Sequence, residues 1–245
     1  MVGQARDDIF SQPLNAATNF TFDEKVAAVF PDMIKRSVPG YSSVIAMTGV
    51  IGKQYTQSGS VCYDLGCSLG ESTFALASQI NVKDSKIIAV DNSQQMLDRF
   101  ALILDKQSPA IAVDLVCDDI LNVKFDRCSV VILNYTLQFI AIEQRDSLVK
   151  RIYDALLPGG VLLLSEKIRF ADEILDQRMI DLHHAFKKAN GYSDLEISQK
   201  RTALENVLRP ELMQTHEKRL QDAGFNRVDT WFQCFNFMSM IAIKS

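Results

Sequence analysis

The sequence predicts an α/β protein with one mostly parallel sheet finished by an antiparallel hairpin. Three observations predict it. From Val61 onward, short apolar runs alternate with helical stretches, the pattern of strand–helix crossovers. Each of those runs is unbroken, as expected of strands covered on both faces. The last two runs, Arg227–Cys234 and Phe237–Ile243, are joined too closely for a crossover and so must pair antiparallel. At 245 residues, 47% hydrophobic and 23% charged, the chain has an ordinary globular balance, which excludes disorder, collagen and coiled coil as whole-chain descriptions.

The elements follow in order. Thr21 and Glu24 have the spacing of a capping box, with Val26, Val29, Phe30 and Met33 behind it at helical intervals. Pro31 lies inside that pattern and should kink or break the helix. Pro39-Gly40 stops what continues, and residues 42–57 form a second helix ended by Ser58-Gly59. The first strand, Val61–Leu65, runs into Gly66-Cys-Ser-Leu-Gly70 and a helix from Glu71 to Ile80. The second strand, Lys86–Asp91, leads to a helix capped by Ser93, with Met96, Leu97 and Phe100 inward. Strands at Ala112–Cys117 and Ser129–Asn134 come next. A helix over 143–157 is ended by Pro158-Gly-Gly160, and Val161–Ser165 is the fifth strand. Residues 167–215 show no good strand. Leu175, Met179, Leu182 and Phe186 make a helical stripe, and Leu195–Leu208 is a further helix. A helix ending at Ala223, with Gly224 beyond it, precedes the hairpin. The expected organisation is one domain over 1–245, with a helical N-terminal cap at 20–57 and a helical insertion at 167–215.

Charge and cysteine content narrow the function classes. The net charge is −4, and the basic residues form only small clusters (Lys35-Arg36, Lys150-Arg151, Lys187-Lys188), read as solvated faces. Direct nucleic-acid binding is not expected. The five cysteines, Cys62, Cys67, Cys117, Cys128 and Cys234, form no Cys-x-x-Cys and read as reduced core thiols of a cytoplasmic protein. Met1–Phe22 is polar and resembles no secretory leader. No apolar run reaches a membrane-spanning length. The sequons at Asn19 and Asn134 are therefore not expected to be glycosylated. His183 and His184 are adjacent, one expected in the core and one at the surface, and no metal motif is present.

The informative stretch is Asp64-Leu-Gly66-Cys67-Ser68-Leu-Gly70. Glycines between a strand and a helix let backbone approach a ligand closely. An acidic residue at the next strand end, Asp91, suits a ribose diol. Asp118-Asp119-Ile120 ends the third strand, where a carboxylate can accept from an exocyclic amine. Asn134 ends the fourth strand, on the same carboxyl edge. Two other classes compete. Gly66-Cys-Ser68-Leu-Gly70 also matches the nucleophile elbow of the α/β-hydrolases, although no earlier strand carries an oxyanion loop. A dinucleotide dehydrogenase would need G-x-G-x-x-G, which the loop lacks.

The loop, Asp91, Asp119, Asn134 and the Leu157–Gly160 turn together resemble the class I S-adenosylmethionine-dependent methyltransferases. That family has a Rossmann-like seven-stranded sheet with an antiparallel C-terminal hairpin; Ser68 departs from its usual glycine. A closer resemblance rests on Phe20-Thr-Phe-Asp-Glu-Lys-Val26, Val29-Phe-Pro-Asp-Met33, Arg36-Ser-Val-Pro-Gly-Tyr41, Tyr63-Asp-Leu-Gly-Cys-Ser68, Ala189-Asn-Gly-Tyr-Ser193, Ser198-Gln-Lys-Arg201 and Trp231-Phe-Gln-Cys-Phe-Asn236. These strings, spread over nearly the whole chain, resemble the bacterial carboxy-S-adenosylmethionine synthases. The resemblance implies S-adenosyl-L-methionine and prephenate as substrates, and carboxy-S-adenosyl-L-methionine and phenylpyruvate as products. It also implies a homodimer, no metal, and a tRNA carboxymethyltransferase that uses the product at the wobble uridine.

Carried over by motif, the ligand positions are Tyr41, Gly66, Cys67, Ser68, Asp91, Asn92, Asp119, Ile120, Asn134 and Arg201. Asp91 would hold the ribose, Asp119 and Ile120 the adenine, and the 66–68 loop and Asn134 the methionine end. Arg201 is the catalytic assignment, a clamp on the new carboxylate. The resemblance implies that prephenate itself supplies base and electrophile, and no side chain is assigned as base. Tyr41 also reads as a helix anchor, Arg201 as a solvated charge, and Trp231 and Phe232 as strand packing. The alternatives are a conventional methyltransferase with the same cofactor and a non-catalytic S-adenosylmethionine-binding partner of a tRNA-modifying enzyme.

Overall fold

The computed structural model describes residues 6–13, 20–204 and 207–245. The Asn19 sequon, half of the Met1–Phe22 stretch and residues 205–206 of the 195–208 helix lie outside them. In chain order the elements are α1 (Glu24–Ser37), α2 (Tyr41–Tyr55), β1 (Val61–Leu65), α3 (Glu71–Ala77), β2 (Lys86–Asp91), α4 (Gln94–Gln107), β3 (Ala112–Cys117), β4 (Cys128–Asn134), α5 (Ile142–Ala155), β5 (Leu156–Arg169), α6 (Glu173–Ala189), α7 (Asp194–Leu204), β6 (Glu211–Leu212), α8 (Met213–Ala223), β7 (Arg227–Cys234) and β8 (Phe237–Ile243). The strand order is β3-β2-β1-β4-β5-β8-β7, with the short β6 beside β5. The first five strands pair in parallel, and β8 is antiparallel to both β5 and β7.

Alternation along the central strands builds two cores. Tyr63, Val131 and Leu133 face α5 and α8 through Leu148, Ile152 and Leu220. Cys62, Val130 and Ile132 face α3 and α2 through Leu76 and Ile51. The edge strand β3 is mostly exposed, and its Asp114 pairs with Lys86 at 2.9 Å.

Several expectations are corrected. Asp23, not Thr21, caps α1: its side chain accepts from the Val26 amide, while Glu24 pairs with Arg99. An Asp is at least as good a cap as a Thr, and starting two residues later frees Glu24 for that ion pair. Pro31 does not break α1, which continues through it to Ser37; packing of Val26, Val29 and Met33 against the body outweighs the lost hydrogen bond. The fifth strand is far longer than Val161–Ser165. Leu156 already pairs with Cys128, and the Leu157–Gly160 turn is a bulge within β5. At its far end β5 continues to Arg169, where Ile168 and Arg169 pair with Glu211 and Leu212, so the 167–215 segment does contain strand.

That return is held by a buried ion-pair network. Arg145, fully buried, meets Glu211 at 2.6 Å and the carbonyl oxygens of Gln138, Ile140 and Arg209; Arg219 bridges Glu211 and Asp146. All three guanidinium nitrogens of Arg145 have partners, the condition under which a buried guanidinium is tolerated.

Candidate active site

The strand order reverses between β1 and β4, and in such sheets a crevice opens beyond the carboxyl ends of the strands. Here it is a cavity of about 710 Å³, roofed by α1, α6 and α7. All ten sequence-assigned ligand residues, Tyr41, Gly66, Cys67, Ser68, Asp91, Asn92, Asp119, Ile120, Asn134 and Arg201, line it.

The loop after β1 is shaped by two glycines. Gly66 has φ +78, and a Cβ there would lie 2.3 Å from Thr136 Oγ1; Gly70 has φ +83, and a Cβ there would strike the Phe100 ring at 2.2 Å. Only glycine meets both demands. Between them Ser68 also takes a left-handed conformation, φ +48, an uncommon choice for a residue with a side chain. Its amide donates to Asp91 at 2.8 Å. The other Asp91 oxygen accepts from the Ser93 amide at 2.9 Å, so the carboxylate is held from two sides at the cavity wall. Burial raises the Asp91 pKa, against the pull of those amides.

Asp64 has a different role. It lies under the loop, accepts from the Thr73 hydroxyl at 2.6 Å, and is pushed by burial up to about 6. Asn134 lines the cavity, yet its side chain is fully engaged: it donates to Thr48 and Ser72 and accepts from Ser165 at 2.7 Å. It acts as a brace between β4, β5 and the two helices behind them. Tyr41 opens α2, so helix anchor and cavity wall are the same residue. Burial, then the neighbouring Glu71 carboxylate, push its phenol well above the usual range. Burial does the same to the Cys67 thiol, which disfavours its thiolate.

The end of the cavity opposite Asp91, Asp118 and Asp119 is cationic. Lys167 from β5, His183, His184 and Lys187 from α6, and Lys200 and Arg201 from α7 all line the cavity. Arg201 is exposed and has no hydrogen-bond or ion-pair partner among the described residues. Lys200 meets Asp7 at 3.4 Å and Ser37 Oγ at 3.1 Å. Burial and the other cations draw Lys187 down to about 7, and burial draws Lys200 to about 8. His183 is pushed by burial to about 3; its neutral ring donates from Nε2 to the Ser37 carbonyl at 2.8 Å.

These lysines correct the reading of Lys187-Lys188 as a solvated cluster: Lys187 is only 6% exposed. Lys35-Arg36 and Lys150-Arg151 are corrected in part, since Arg36 binds the Asn190 carbonyl and Arg151 the Leu121 carbonyl. Of the two histidines, one expected in the core and one at the surface, both line the cavity, His183 buried and His184 half-buried. The apolar stripe of α6 likewise does not face inward. Leu182 is 40% exposed, and the buried residues of that helix are His183 and Lys187. The missed signal was the i, i+4 spacing of these two polar residues. It places them on one face, and that face covers a cavity rather than the sheet.

The hydrolase reading fails on geometry. Among the described residues Ser68 Oγ has no histidine partner, and no strand precedes β1 to carry an oxyanion loop. No helix among the described residues is long and apolar enough to cross a membrane. All five cysteines are free thiols; Cys62, Cys67 and Cys128 are buried and Cys117 is exposed.

Comparison with known proteins decides the family. Residues 62–160 match the family model described as a methyltransferase domain. The chain is 54% identical to the carboxy-S-adenosyl-L-methionine synthase of Geobacter sp. (strain M21), over 97% of this chain and 98% of the relative. It is 52% identical to the synthase of that name from Haemophilus ducreyi, again over 98% of each.

The chain belongs to the carboxy-S-adenosyl-L-methionine synthase family.

Members of that synthase family are enzymes, and the fold is that of the class I methyltransferases. A protein described as an S-adenosyl-L-methionine-dependent methyltransferase from Methanococcus maripaludis aligns with a TM-score of 0.60 at 18% identity, covering 94% of this chain and 97% of its own. Human N-acetylserotonin methyltransferase aligns at 0.59 and 16%, covering 91% of this chain and 55% of its own. At those identities the likeness is one of fold. Within that fold this chain's cavity has acidic residues at the β2 and β3 ends and a cationic far end.

Proposed function

We propose that the chain converts S-adenosyl-L-methionine and prephenate into carboxy-S-adenosyl-L-methionine and phenylpyruvate, the product serving as carboxymethyl donor for the wobble uridine of tRNA. The observation that carries this reading is the charge division of the cavity. A carboxylate stands at the nucleoside end, where a ribose diol needs an acceptor. Cations stand at the far end, where they would repel the sulfonium unless an anion lay between them. An ordinary methyl acceptor gives no reason for that arrangement; an anionic co-substrate and a product bearing a new carboxylate do.

In this reading Asp91 accepts from the ribose hydroxyls, Asp119 and Ile120 flank the adenine, and the 66–68 loop carries the methionine portion. Arg201, unpaired at the cavity wall, holds the new carboxylate through two parallel hydrogen bonds. The C–COO bond of prephenate breaks, its electrons aromatise the ring, and the ring hydroxyl leaves as hydroxide. Hydroxide removes a proton from the sulfonium methyl to give water and an ylide, and the ylide carbon adds to carbon dioxide. The protein orients the partners and keeps bulk water from the ylide.

A homodimer accords with the exposed apolar side chains of Ile174, Leu182 and Leu195 on α6 and α7. The reaction is placed in the cytoplasm, and the chain itself need not bind tRNA.

The test is turnover by the purified chain with both substrates, read by mass spectrometry. A species heavier than S-adenosyl-L-methionine by one carbon dioxide, formed only with prephenate, is expected. Methyl transfer to an added acceptor without prephenate would replace this reading with a conventional methyltransferase. Binding without turnover would leave a non-catalytic partner.

A further inference from the structure

Four cations line the far end of the cavity, and they are not equivalent. Lys200 is already neutralised by Asp7, which is itself 1% exposed and also accepts from the Tyr192 hydroxyl. Arg201 is exposed. Lys167 and Lys187 are different again. Each ammonium lies over an aromatic face, Lys167 5.9 Å from the Phe237 ring centre and Lys187 5.8 Å from that of Tyr192. Neither has a hydrogen bond or an ion pair among the described residues. An ammonium taken out of water without a counter-ion is costly, and ring faces repay only part of that cost. Two of them lining one cavity wall, from different elements, make a site that lacks its anion.

We propose that Lys167 and Lys187 together seat the carboxylate that the co-substrate keeps, the one belonging to its 2-oxo acid side chain. The assignment rests on the reaction proposed above and deepens it. Prephenate carries two carboxylates with opposite fates. The ring carboxylate leaves as neutral carbon dioxide, so a cation paired with it would stabilise the ground state and lose that interaction as the bond breaks. The side-chain carboxylate is unchanged from substrate to by-product, so gripping it adds affinity without raising the barrier. Cations with no hydrogen bond or ion pair among the described residues belong with the second group. Arg201 is left for the carboxylate that is made. A direct consequence is that phenylpyruvate, which bears the same 2-oxo acid group, competes with prephenate for the lysine pair.

The experiment uses the full chain as wild type, Lys167→Met, Lys187→Met and Lys187→Arg. KM for prephenate and the inhibition constant of phenylpyruvate are measured together with the S-adenosyl-L-methionine affinity. Both methionine variants should raise KM and the inhibition constant in parallel, by roughly 10- to 100-fold, the scale of a charged hydrogen bond. Affinity for S-adenosyl-L-methionine should be unchanged, and Lys187→Arg should recover part of the loss. The melting temperature should hold or rise, because methionine removes an unpaired buried charge. Unchanged KM and inhibition constant in both methionine variants would overturn the assignment, as would a parallel fall in S-adenosyl-L-methionine affinity. The assignment and the reaction fail separately. Calorimetric titration of phenylpyruvate into wild type and variants, each loaded with S-adenosyl-L-methionine, reads the lysine seat even if no carboxylated product forms. Equal binding by wild type and both methionine variants, or none by wild type, would reject the seat.

Discussion

At the scale of single residues, the cavity places acidic groups at one end and basic groups at the other. Asp91 is the clearest case at the nucleoside end: two backbone amides hold its carboxylate at the cavity wall. Arg201 is its counterpart at the far end, free of partners among the described residues and so available to a ligand. Arg201→Ala should therefore weaken retention of carboxy-S-adenosyl-L-methionine by roughly 10-fold or more while leaving S-adenosyl-L-methionine nearly unaffected, since only the former carries the extra carboxylate. Calorimetry with both ligands checks this; equal weakening would reject the clamp. Ser68 belongs to the same scale. Its left-handed backbone, not its hydroxyl, is what the loop uses, so Ser68→Gly should retain S-adenosyl-L-methionine binding.

At the scale of elements, the loop between β1 and α3 is the part least able to tolerate change. Gly66→Ala would force a side chain into positive φ and against Thr136. The backbone conformation alone costs about 1–2 kcal/mol, and the clash adds to it. The variant should unfold at lower denaturant concentration by at least about 2 kcal/mol and should bind S-adenosyl-L-methionine poorly, as chemical denaturation and calorimetry would show. Helix α6 illustrates how periodicity misleads. Its apolar stripe is real, but the helix covers a ligand cavity, so the inward face carries His183 and Lys187 instead. Strand β5 shows the converse. Its Pro-Gly-Gly turn stops a helix as the residues suggest, yet the neighbouring strand pairs on both sides of it and absorbs it as a bulge.

At the scale of the whole molecule, stability is tied to pH through a buried acid away from the ligand. Glu166 is fully buried, accepts from the Leu137 amide at 3.0 Å, and leaves its second oxygen unpaired. Burial pushes it up to about 8 from the ordinary 4.5, despite the nearby Arg145. The folded chain thus keeps a proton that the unfolded chain has lost. This contribution is fully present below about pH 4.5 and is lost as pH rises through about 8. Glu166→Gln removes the titration. Its melting temperature should match wild type near about pH 5 and exceed it by more than about 3 °C near about pH 8.5. Equal differences at both pH values would show that the carboxyl does not titrate in the folded state.

Much of this protein was legible in the residues themselves. The strand order along the chain, the two glycines of the loop, Asp91 and Asn134 at strand ends and the closing hairpin all follow from local rules: apolar runs, turn chemistry and the carboxyl-edge position of ligand sites. Those signals are local in sequence, so one chain suffices to read them; the full set of ten ligand positions came from the family resemblance, and all ten line one cavity. What only the tertiary structure decided is which charges are buried. Whether Lys187 is solvated or enclosed depends on what α6 packs against, and Asp23 rather than Thr21 caps α1, which leaves Glu24 to pair with Arg99 of α4. Lys167 reaches the cavity because β5 runs beyond Ser165 and carries it there. Burial is a property of the assembled layers, and so is the placing of Asp7 beside Lys200, which separates that neutralised lysine from the two left without a partner among the described residues.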